Sequence, residues 1–113
     1  MNLGAMSQRQ LHNHAHFMFE TLAKLAQEFY RCDFSHEEKD AYVHLINDLN
    51  IHTAKLLNSD DDWKTELQMT NKIINAASSS LNRHLCFRVL LSTIEINNNI
   101  ILNTTESNHQ QIN

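Results

Sequence analysis

This sequence predicts an all-α fold, an up-and-down bundle of three to four helices, and three observations predict it. The 113-residue chain has one glycine, at position 4, and no proline. Hairpin turns depend on Gly, Asn-Gly or Pro for their dihedrals, so a sheet protein is disfavoured on turn chemistry alone. Apolar residues recur at alternating intervals of three and four, the period of one helix face. The breaks between these runs are short polar clusters, and short connections place successive helices antiparallel. The length suits one domain. Residues 1–6 read as a loose leader, 7–102 as a single helical domain and 103–113 as a disordered polar tail of Asn, Thr, Ser, Gln and His.

The first helix is expected over about 8–32, with Ser7 and Gln10 as a capping box. Its seam is Leu11, Ala15, Met18, Leu22, Leu25 and Phe29, with Phe17, Phe19 and Tyr30 off the seam as first candidates for a contact patch. Asp33 and Phe34 break the chain, and Ser35-His36-Glu37-Glu38 is a stronger capping box. The second helix, about 36–58, carries Tyr42, Leu45, Leu49, His52 and Leu56, flanked by Ile46 and Thr53. Asn58, Ser59 and Asp60 end it and cap a third helix over about 60–79, whose seam is Trp63, Leu67, Thr70, Ile74, Ala77 and Leu81. Trp63 is expected to close one end of the core. The serine run 78–80 leaves two options open: a turn near 78–82, or fusion of the last two helices into one.

The last helix, about 81–102, differs in character. Its polar residues His84, Arg88, Ser92, Glu95 and Asn99 form one narrow stripe, and most others are apolar. No helix of a four-helix bundle is surrounded on all sides, so this surplus of apolar surface points to a second molecule. Self-association is expected through Phe87, Leu90, Leu91, Ile94 and Ile101. Arg88 and Glu95 interrupt the apolar stretch, so no membrane span is expected.

Charge restricts the partners further. The chain carries a net −4, with −3 over residues 33–58 and −2 over 59–77, and no basic stripe suited to nucleic acid. The two cysteines, Cys32 and Cys86, are too few for a disulfide framework, and a reducing, cytoplasmic compartment is the expectation. Neither thiol looks reactive. No Ser/His/Asp set and no glycine-rich loop is present, so the expected class is non-enzymatic.

Eight histidines are the least ordinary feature. If the first two helices form a hairpin about residue 34, His16, Glu20, Asp48 and His52 come to similar heights. Two imidazoles and two carboxylates suit Zn²⁺ or another divalent transition metal. Their flanking positions equally suit a solvated face. His52-Thr53-Ala54-Lys55 is similar to phosphorelay four-helix domains in placing a lysine three residues after a histidine. It departs from them in having Ala54 and Leu56 where the pattern wants Leu and Gly, and His52 falls on the core seam. A half-buried, hydrogen-bonded histidine is expected there. The functional expectation is a small protein-interaction module, an adaptor, secretion chaperone, immunity or regulatory protein, that forms a homodimer through its last helix. A metal-binding bundle is the alternative.

Overall fold

The computed structural model describes residues 8–58 and 62–112, with side chains as far as residue 103. Four helices fill them: α1 (Gln8–Glu28), α2 (His36–Leu57), α3 (Trp63–Leu81) and α4 (Leu85–Ile112). The fold is all-α, as the periodicity demands. Consecutive helices pack side by side, whereas α1 and α4 approach each other over only a short stretch. Trp63 and Leu67 at the start of α3 meet Leu11 and Ala15 at the start of α1 and Leu56 at the end of α2. At the other end Leu25, Tyr42, Leu81 and Phe87 share a cluster. The helices therefore alternate up and down, and the molecule is 53 Å long but only 23 by 16 Å across.

The seams direct this packing. Leu11, Ala15, Met18, Leu22 and Leu25 of α1 are all buried, and Phe29 packs at the edge. On α2, Thr53 takes the inward position and His52 lies only half-buried beside it. The Thr53 hydroxyl donates back to the Leu49 carbonyl at 2.7 Å, which satisfies it without a distant partner. Trp63 is buried at one end of the core as expected.

Several boundaries differ from the sequence reading. α1 stops at Glu28, where the Arg31 and Cys32 amides both close on the Glu28 carbonyl. The expected cap at Ser7 and the leader before it lie outside the described residues, as do Ser59 and Asp60. The serines do not break α3, which runs through them to Leu81. The chain turns at 82–84, so the last two helices are not fused. α4 runs on to Ile112 in place of the expected tail from 103, because that stretch has no Pro or Gly to interrupt the i to i−4 ladder.

Glu38 explains the turn. Ser35 caps α2 by accepting from the Glu38 amide at 3.2 Å, and Glu38 returns the bond from the Ser35 amide at 2.8 Å. The same carboxylate then receives Arg83 in a fork, Nε at 2.8 Å and Nη2 at 2.7 Å, and His84 Nε2 at 2.9 Å. Arg83 also donates to the Asp33 carbonyl at 3.2 Å, and the His84 ring packs on Phe34 at 4.4 Å. The α3–α4 turn is thus pinned to the α1–α2 loop. Arg83 first, then the Ser35 amide, hold the Glu38 carboxyl far below the usual carboxylate range.

Candidate functional site

The open side of the bundle is the gap between α1 and α4, a groove of about 800 Å³. One wall is α4, through Leu85, Val89, Ser92 and Ile96; the other is α1, through Phe17, Thr21 and Lys24. The α4 residues recur at four, three and four, so they form one stripe along about 16 Å of helix. Leu85 is 77% exposed, Val89 50%, and Phe17 and Ile96 about 40%. This concentration of large apolar side chains on one open wall makes the groove the candidate interaction surface.

The exposed apolar stripe lies on the helix expected to carry the apolar surplus, but at other residues than those expected to meet a partner. Phe87 and Leu90 have no exposed surface and belong to the bundle's own core, so they cannot meet a partner while the bundle is closed. Leu91 and Ile94 are partly buried against that core, and Ile101 against the cluster at the opposite end. Thr93 and Asn97, in contrast, point inward and are fully buried. Leu85, Val89, Ile96 and Leu102 are the large apolar side chains of α4 that remain exposed.

Asn97 explains the inversion. His14 Nε2 donates to Asn97 Oδ1 at 2.8 Å, Asn97 Nδ2 donates to Asn71 Oδ1 at 3.0 Å, and Asn71 Nδ2 donates to Asn98 Oδ1 at 3.0 Å. This chain crosses from α1 through α4 to α3. It lies between the two apolar clusters and divides the core into two compartments. A buried amide leaves nothing unsatisfied only when its neighbours sit at the right height, so the layer selects one rotation and one register for α4. Burial pushes the His14 imidazole below its ordinary value, and the bond to Asn97 only partly opposes this.

The two cysteines lie at the Leu85 end of the groove. Cys32, in the α1–α2 loop, has its Sγ 3.4 Å from Sγ of Cys86 on α4; both are free thiols. Burial and then the hydrogen bond to Cys86 push the Cys32 thiol up to about 11. The Tyr42 hydroxyl, buried beside them, donates to the Leu25 carbonyl and is pushed well above the phenol range.

The four residues expected to hold a metal are not brought together. His16, Glu20 and Asp48 are exposed, and His52 Nδ1 donates instead to Glu66 on α3 at 2.8 Å. Among the described residues no group of three or more His, Cys, Asp or Glu side chains converges on a common point. His52 is the hydrogen-bonded, half-buried histidine its seam position implies.

Leu85–Asn103 is, by length and composition, sufficient to cross a membrane despite Arg88 and Glu95. Phe87, Leu90, Thr93 and Asn97 within it are committed to the bundle interior. No family model matches this chain, nor does any curated protein or solved structure match it.

Proposed function

We propose that this chain is a non-enzymatic protein-interaction module that pairs with a second copy of itself through the α1–α4 groove, each α4 lying in the groove of the other. The observation that carries the reading is the exposed stripe Leu85, Val89 and Ile96 on a helix whose polar Thr93 and Asn97 are buried. The uncovered element is itself an apolar helix, so its stripe is self-complementary about a two-fold axis. Pairing about an axis between Val89 and Ser92 sets Leu85 opposite Ile96 and Val89 opposite Ser92. The small Ser92 side chain allows close approach at the centre.

Charge supports the same partner. Residues 36–81, the α2–α3 half, carry eight acids against four bases, and the rest of the chain carries five of each. Among the described residues α2 and α3 contribute nothing to the groove lining, so the acidic surplus of these two helices lies away from it. Two copies joined by their α1–α4 faces bring neutral surfaces together and hold the acidic halves apart. The acidic α2–α3 faces then point outward in a pair, where they steer encounter with a basic protein partner.

Sedimentation of the chain at micromolar concentration tests the pairing. The expected mass is twice 13.2 kDa, falling to the monomer in Val89→Glu and Ile96→Glu with helicity unchanged. A monomeric wild type, whether it stays in solution or binds lipid vesicles through α4, overturns the reading.

A further inference from the structure

From the juxtaposition of Cys32 and Cys86 we infer a second property, independent of self-association: the two thiols are an oxidisable pair that closes to an intramolecular disulfide joining the α1–α2 loop to α4. Their sulfurs are 3.4 Å apart although the residues are 54 positions apart in sequence. A disulfide needs about 2.05 Å between sulfurs. The difference is of the order of 1 Å, a shift of the scale that side-chain rotation supplies.

The surroundings favour this pairing over alternatives. Cys32 is partly exposed and Cys86 is buried. Both line the groove of about 800 Å³, which has room for a small reagent. The Glu38 latch holds the two segments together on the same end of the bundle, since Arg83 and His84 flank Cys86 in sequence and Asp33 follows Cys32. The geometry therefore exists before any bond forms. No other Cys, and no His, Asp or Glu in a group of three, competes as a metal site among the described residues.

A low-molecular-weight disulfide such as glutathione disulfide is a sufficient oxidant. The Cys32 thiol loses its proton to water, and its thiolate attacks one glutathione sulfur. A mixed disulfide forms and one glutathione thiolate leaves, taking up a proton. Cys86, deprotonated in turn, attacks Cys32 Sγ and expels the second glutathione. Two protein thiols lose two electrons, and one glutathione disulfide becomes two glutathione molecules. Burial keeps the Cys32 thiol protonated, so the first step is slow and the second, at contact distance, is fast.

The resulting bond encloses all of α2 and α3 in one covalent loop. Closing a loop of this length restricts the unfolded chain strongly, and the expected rise in Tm is on the order of 10 °C. It also ties the end of α1 to the start of α4 and fixes the width of the groove at the Leu85 end.

The test is to equilibrate the reduced full-length chain in glutathione buffers of increasing oxidation and quench by alkylation. Intact mass and peptide mapping then identify the products. The expected product has lost two hydrogens, carries no alkyl groups and links Cys32 to Cys86 within one chain. Its Tm is raised, and dithiothreitol reverses the change. Cys32→Ser and Cys86→Ser, each folded by circular dichroism when reduced, stop at a glutathione adduct or do not react. Wild-type chain that keeps both thiols, accumulates only glutathione adducts or links between chains overturns the inference.

Discussion

At the residue scale the most consequential side chain is Asn97. It accepts from His14 and donates to Asn71 with no exposed surface of its own. Asn97→Ala leaves both partners buried and short of a hydrogen bond. The expected loss is about 2–4 kcal/mol by chemical denaturation, about 1–3 for each orphaned group with some relaxation. The triple replacement of His14, Asn71 and Asn97 by Leu should recover much of that stability, and the layer's role in register would then appear as a less cooperative transition. Near wild-type stability for Asn97→Ala would show that the layer is not formed.

Two side chains set the response to acid, in separate windows. Burial lowers the His14 value in the folded chain, so the unfolded chain binds the proton more readily. Its contribution is complete above the unfolded value near 6.5 and falls as pH drops through and below it. Glu38 is also held below its unfolded value, by Arg83 first, so its contribution is complete above about 4.5 and is lost below. Tm is expected to decline in two stages. His14→Gln removes the upper stage and Glu38→Gln the lower; a single stage unaffected by His14→Gln would contradict the assignment.

At the element scale, caps and latches do more than propensity. Ser35 and Glu38 form a reciprocal box at the start of α2, and Ser35→Ala should cost about 1 kcal/mol and increase amide exchange at Glu37 and Glu38. The box was legible because it is local, three residues long and fixed in pattern. The seam of α1 was equally legible, since its apolar residues lie on one face and its other faces are largely polar. α4 was not, because leucine and isoleucine occur on every face and leave the inward direction undetermined. That direction is set by His14 and Asn97, 83 positions apart, and no local pattern carries such a pairing. The turn at 82–84 was hidden for the same reason: serines bend a helix weakly, whereas Arg83 and His84 are drawn to a carboxylate on α2. His52 and Thr53 differ by one position, and a three-four count alone does not choose between them.

For the molecule as a whole, the two-compartment core and the groove follow from one arrangement. Rotating α4 to bury its amide turns Leu85, Val89 and Ile96 outward and leaves α1 and α4 in contact over only a short stretch. The acidic helices α2 and α3 do not line the groove among the described residues. The proposed pairing covers the stripe without bringing the acidic halves together, and it therefore should persist at low as well as high salt. Electrostatic pairing would weaken as salt rises.

The most direct test of the central claim is a spin label at position 92 in a Cys32→Ser, Cys86→Ser, Ser92→Cys chain. The proposed two-fold contact puts the two labels beside each other. It predicts strong dipolar broadening that disappears on dilution with unlabelled chain, and none for a label at Lys72→Cys on α3. An unbroadened spectrum at position 92 in a folded chain would contradict the α4–α4 pairing.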